Sequence, residues 1–129
     1  MFRHYDCLIV GTGHGGAQAA ITLRKRGYQG SIALLGEECD LPYERPPLSK
    51  AVMVSESEPL PAHPLTLESA AQKGITLLLG ARVTGIDPAR HEVAPEEGRR
   101  FTYHKLLLAT GARPRRLTCE GAAAERVLY

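Results

Sequence analysis

Nine residues, Leu8-Ile9-Val10-Gly11-Thr12-Gly13-His14-Gly15-Gly16, constrain this chain more than any other stretch. Four glycines follow an apolar run and precede a segment of helix formers, so the spacing predicts a strand, a glycine turn and a helix. Residues 5–10 supply the strand, and residues 17–25 the helix, with apolar positions at Ala17, Ala20, Ile21 and Leu23. Gly27 is the expected terminator of that helix, residues 31–35 form a second strand, and Gly36-Glu37-Glu38 ends it. Together these make one complete βαβ unit.

In that setting a GxGxxG turn has a physical task. Gly11 permits the tight turn, Gly13 lets backbone approach a pyrophosphate, and Gly16 lets helix and strand pack closely. The N–H groups around Gly15 and Gly16 open a helix whose dipole favours that anion. His14, inside the turn, is expected to face a cofactor through its backbone only. Glu37 lies 21 residues beyond Gly16, at the carboxyl end of the second strand, where an acid accepts hydrogen bonds from a ribose hydroxyl. Glu38 is its rival. A carboxylate there repels a 2′-phosphate, which argues against NADP. Fingerprint and acid together do not separate NAD from FAD, and a glycine-rich βα turn with no ligand is the remaining alternative.

Composition narrows the class. A chain of 129 residues, 43% hydrophobic, with 16 basic against 14 acidic side chains, is one α/β-sized domain with a core. A net charge of +2 is too small to argue for nucleic acid or a membrane surface, and Arg113, Arg115 and Arg116 read as a solvated turn. Cys7, Cys39 and Cys119 are odd in number, far apart and without metal-ligand spacing, so neither a zinc site nor a disulfide framework is expected. The first apolar run, residues 7–10, is too short for a signal peptide or a membrane span. A cytoplasmic protein with reduced thiols is the expectation.

Six prolines, at 42, 46, 47, 59, 61 and 64, make residues 41–64 a long loop of little regular structure, apart from a short helix beginning at Pro47 and including Lys50. Residues 66–73 read as a helix ended by Gly74, and 75–79 as a third strand able to pair beside the first. Short β-like segments at 81–86, 91–94, 100–103 and 106–109 suggest a β-meander returning to the sheet. Residues 127–129 open a further β-like segment that stops without a cap or turn. The expected fold is α/β: a Rossmann-like domain over residues 1–129, with a parallel sheet and a β-meander.

Two further segments choose the ligand: LPYERPPLSK at 41–50 and YHKLLLATGARP at 103–114. With them the chain resembles the FAD-dependent ferredoxin reductases, the group of the putidaredoxin, rubredoxin and rhodocoxin reductases, related to apoptosis-inducing factor. The resemblance covers essentially all of the chain. It implies a flavoprotein in which NADH reduces FAD by hydride transfer, and FAD passes single electrons to a ferredoxin or rubredoxin. It also implies that the chain stops before the NAD-binding and C-terminal domains, and that alone it lacks NADH turnover. By the same resemblance Gly11, Gly13, Gly15 and Gly16 match the pyrophosphate loop and Glu37 the adenosine-ribose acid. Lys50 matches a lysine against the flavin ring, Val83 a backbone contact to the adenine, and Ala109, Thr110 and Gly111 a turn that returns against the cofactor. A cation beside a flavin stabilises the negative charge of the reduced ring, which gives Lys50 a physical role, and Arg45 is a weaker candidate of the same kind with bracing of the loop as an equal alternative. The disulfide reductases carry a redox cysteine pair in the corresponding region. Here no cysteine lies between Cys39 and Cys119, so thiol–disulfide chemistry is not expected.

Overall fold

The computed structural model describes residues 3–56 and 62–121; the segment at 127–129 lies outside them. Strand β1 (Arg3–Val10) leads through the glycine turn into helix α1 (His14–Lys25) and strand β2 (Ile32–Leu35). A 3-10 turn (Pro46–Ser49) and the one-turn helix α2 (Ala51–Val54) interrupt the long loop. Helix α3 (Leu67–Gln72) then precedes strands β3 (Ile75–Leu78), β4 (Val83–Asp87), β5 (Glu92–Pro95) and β6 (Phe101–Leu108). The six strands form one sheet in the order β3-β2-β1-β6-β5-β4. The first four are parallel, and β4, β5 and β6 form an antiparallel meander.

Helix α1 begins at His14, three residues before the first helix-forming alanine, because Gly13 takes the N-cap position and Gly15 and Gly16 are drawn into the first turn. Its other end is a Schellman motif. Gly27 adopts φ 83°, its N–H donates to the Arg24 carbonyl, and the Tyr28 N–H donates to the Leu23 carbonyl. Helix α3 starts on a capping box in which Thr66 and Ser69 bond each other's backbone N–H groups.

Strand β2 is buried on both faces, which is why it reads as an unbroken apolar run. Ile32 and Leu34 join Cys7, Ile9, Ile21 and Ile75 under α1 and α3. Ala33 and Leu35 join Leu8, Val10, Phe101 and Val93 beneath the meander. Each fully buried aliphatic side chain contributes roughly 1.5–3 kcal/mol.

Two expectations change. The third strand pairs with β2, Ile32 opposite Ile75, and not with β1. Strand β1 has no edge to offer, since β2 holds one side and β6 runs along the other from Arg3↔Phe101 to Val10↔Leu108. The segments at 100–103 and 106–109 are a single strand, β6, whose exposed His104 and Lys105 interrupt the apolar pattern without interrupting the backbone ladder.

Candidate functional site

A cleft of about 1020 Å³ opens at the carboxyl ends of β1, β2 and β6, where ligands of open α/β sheets bind. Its floor is the glycine turn. Gly11 adopts φ 122°, and a methyl group on it would run into the backbone carbonyl of Ala109. A methyl group on Gly16 would strike the Gly11 carbonyl oxygen and stand 3.4 Å from Ile9 Cγ2. These two glycines therefore serve packing, whereas Gly13 and Gly15 are bare for another reason. A Cβ on Gly15 would meet nothing within 4 Å, and one on Gly13 only the Arg45 guanidinium at 3.6 Å. The first turn of α1 has no side-chain cap and no acidic residue, so the positive end of its dipole is left to whatever enters the cleft.

The wall opposite is built by the end of β2. The Gly36 N–H donates to the Leu78 carbonyl at 3.1 Å and the Ala81 N–H donates to the Gly36 carbonyl at 2.7 Å, which brings residues 81–83 alongside Glu37. The two neighbouring glutamates then part company. Glu38 is committed: its carboxylate accepts a hydrogen bond from Tyr43 Oη at 2.9 Å and pairs with the Arg45 guanidinium. That bond from the phenol, with burial and the carboxylate's charge, raises the Tyr43 pKa. Among the described residues Glu37 pairs with Arg82 Nε at 3.6 Å, and it stays more than half exposed in the cleft.

Of the residues singled out from sequence, Gly11, Gly13, His14, Gly15, Glu37, Arg45, Val83, Ala109, Thr110 and Gly111 all line this one cleft. Gly16 is buried just behind it. Lys50 is not among the lining residues; it is exposed at the junction of the 3-10 turn and α2. Arg113, assigned to a solvated turn, is exposed and also stands at the cleft's rim.

Known proteins resemble this chain in sequence and in fold. Residues 5–129 match the family model described as pyridine nucleotide-disulphide oxidoreductase. The chain belongs to that family. It is 44% identical over 124 residues to the 5,5′-dehydrodivanillate O-demethylase ferredoxin reductase subunit of Sphingobium sp., covering 95% of this chain and 30% of that protein. To a rubredoxin-NAD(+) reductase of Pseudomonas putida it is 46% identical over 123 residues, covering 95% and 32%. Among solved structures, the ferredoxin reductase for the CYP199A2 system from Rhodopseudomonas palustris superimposes with a TM-score of 0.82 at 38% identity, over 96% of this chain and 31% of that one. The chain thus spans about a third of the length of the relatives it matches.

Within this pyridine nucleotide-disulphide oxidoreductase chain, several cleft residues carried no sequence signal. Thr12, buried under the turn, leaves no room for a side chain at Gly36. Ala81 and Arg82 enter the cleft through the backbone bonds made by Gly36 and Glu38, a consequence of strand order that no local pattern announces. Despite the family's name, Cys7, Cys39 and Cys119 are all free thiols.

Proposed function

We propose that this chain is the FAD-binding portion of an NADH-dependent ferredoxin or rubredoxin reductase. The observation that carries the reading is the division of labour between Glu37 and Glu38. One acid at the end of β2 is open to a ribose, while the other holds Arg45 in front of the bare Gly13. A long ligand with a diol, a pyrophosphate and a second ring system fits that sequence of groups better than a mononucleotide does, and the cleft volume is at the top of the ~300–1,000 Å³ range of small-molecule sites.

In this reading Glu37 accepts hydrogen bonds from the adenosine ribose, and Val83 lies beside the adenine through its backbone. Gly11, Gly13, His14, Gly15 and Gly16 present backbone to the pyrophosphate, and Arg45 adds a guanidinium to it. Ala109, Thr110 and Gly111 close over the far side. Arg45 reaches the cleft from the same segment that carries Lys50, which supports placing the flavin end toward Lys50. Bound FAD supplies hydride acceptance and one-electron donation; the protein's part is to bind, orient and tune it. Lys50 stabilises negative charge at the ring. The nucleotide donor NADH and the iron–sulfur acceptor belong to the whole reductase, and the domain over residues 1–129 is its flavin-holding unit. A cytoplasmic location completes the reading and is supported by the three free thiols. Among the described residues no helix is long and apolar enough to cross a membrane.

Quenching of FAD fluorescence on titration with the purified chain tests the proposal. Saturable 1:1 binding, with NAD a poor competitor, is expected. No saturation at high micromolar concentration, or a preference for NAD, sinks it. Ferricyanide reduction by NADH with the FAD-loaded chain should stay at the rate of free flavin, and robust turnover would remove the restriction to a flavin-holding unit.

A further inference from the structure

At the end of the sheet remote from the cleft, β1 and β6 place two imidazoles and one carboxylate together. His4 and Asp6 are two residues apart on β1 and so share a face. The parallel register, Tyr5↔Tyr103 and Cys7↔Lys105, brings His104 of β6 beside Asp6. One ligand atom from each of His4, Asp6 and His104 lies within 4.8 Å of the other two. None of the three lines the cleft.

We propose that His4, Asp6 and His104 form a binding site for a borderline divalent cation of the zinc, cobalt and nickel class, with water completing its shell. Two neutral imidazoles and one carboxylate are the donor set that such ions prefer over magnesium or calcium, which take mainly oxygen ligands. The surroundings of the ligands are already built. Asp6 Oδ2 accepts hydrogen bonds from the Ser31 N–H and Oγ–H, each at 2.7 Å, which pins the carboxylate and turns Oδ1 toward His104 Nδ1 at 3.5 Å. His4 Nδ1 is hydrogen-bonded to Thr102 Oγ1 at 2.9 Å, which holds that ring in place through one of its nitrogens. Outer partners of this kind orient ligands at metal sites. The two rings meet edge to face with centroids 4.8 Å apart, close enough for both to reach one ion.

Metal–ligand bonds of about 2.0–2.2 Å around a tetrahedral ion set ligand atoms roughly 3.4 Å apart, so the atoms now spread over 4.8 Å must close by more than about 1 Å. His104 is exposed and can rotate toward the pair, while Asp6 stays anchored by Ser31 and His4 by Thr102. An ion held here would tie the amino-terminal part of β1 to β6, two strands separated by most of the chain. The inference is independent of the flavin reading, because the two sites share no residue.

The test is titration of the EDTA-treated chain with ZnCl₂ by calorimetry and with CoCl₂ by visible absorption. One equivalent binding in the micromolar range is expected, with a ligand-field spectrum in the cobalt experiment. H4A and H104A should each weaken binding at least tenfold. Because either substitution touches the sheet, a second measurement needs no variant: histidine ring NMR signals recorded with and without Zn²⁺. Selective shifts of His4 and His104, with His14, His63 and His91 unmoved, support the site. No binding, binding that survives both substitutions, or equal shifts at all five histidines overturns it.

Discussion

Glu38 holds Arg45 against the floor of the cleft: the carboxylate and guanidinium are paired, and that same guanidinium is the nearest group to the open face of Gly13, at 3.6 Å. Arg45 is about half exposed, so the pair adds little to folding on its own. Its value is in fixing where a long, flexible cation waits, and immobilising such a side chain beforehand spares the ligand that entropy on binding.

From this follows a contrast between adjacent glutamates. E37Q should weaken FAD binding roughly tenfold to a hundredfold, the scale of losing a hydrogen bond to a charged group. E38Q should weaken it less, because Arg45 remains but is no longer held. E38Q combined with R45M should be no worse than R45M alone. Equilibrium titration of FAD fluorescence reads all four proteins. A larger loss in E38Q than in E37Q would reverse the assignment of the ribose acid.

The glycines divide the same way. In G16A the new methyl group meets the Gly11 carbonyl, which cannot withdraw because it belongs to the turn itself, so a stability loss of about 1–3 kcal/mol is expected. In G13A the methyl group comes no nearer than 3.6 Å to its closest neighbour, the Arg45 guanidinium, which is ordinary contact, so the urea midpoint should hardly move while FAD affinity falls. Urea denaturation alongside FAD titration separates the two effects. Equal destabilisation by both substitutions would show that Gly13 also serves packing.

How far the sequence reached can be judged at particular residues. The βαβ unit was legible because each signal in it is local: an apolar run, a glycine turn, alanines at helical spacing and Gly27 to end the helix. Glu37 was placed at the right strand end by counting along the chain, but counting does not distinguish it from Glu38. The distinction comes from Tyr43 and Arg45, brought round by a proline-rich loop. The position of β3 beyond β2 was hidden for a similar reason, since it depends on β6 having claimed the other side of β1, and those pairings are remote in sequence. The same remoteness conceals His104 from His4 and Asp6: ligand spacing can be searched along a strand, not across one.

Cys7 should behave as an inert thiol. It is buried between β1 and α1, and desolvation is the foremost cause of a pKa raised above the ordinary thiol value, so the reactive thiolate is scarce at neutral pH. Iodoacetamide at pH 7.5 is expected to modify Cys39 and Cys119, both exposed, well before Cys7, which should label only in denaturant. Peptide mass spectrometry over a time course checks this, and equal rates at all three cysteines would contradict the burial.

Arg24 gives the sharpest test of how the fold is held. From α1 its guanidinium donates through Nε to the Lys73 carbonyl at 2.7 Å and through one terminal nitrogen to Tyr28 and Gly30, at 2.6 and 2.8 Å. The other terminal nitrogen donates to Gly74 at 2.8 Å. Those four carbonyls belong to the turn after α1 and the turn between α3 and β3, so one side chain joins both turns that feed the parallel strands beside it. A planar fork can do this and an ammonium cannot, since lysine offers a single nitrogen to acceptors lying in different directions. Conversion to lysine should therefore cost nearly as much as removal, about 2 kcal/mol with R24K and about 3 kcal/mol with R24A, the scale expected when carbonyls, those of Tyr28 and Gly30 partly buried, lose a charged donor. Urea midpoints decide between the two views of this residue: if R24K matches the parent protein, charge near the end of α1 is what matters and the fork is incidental.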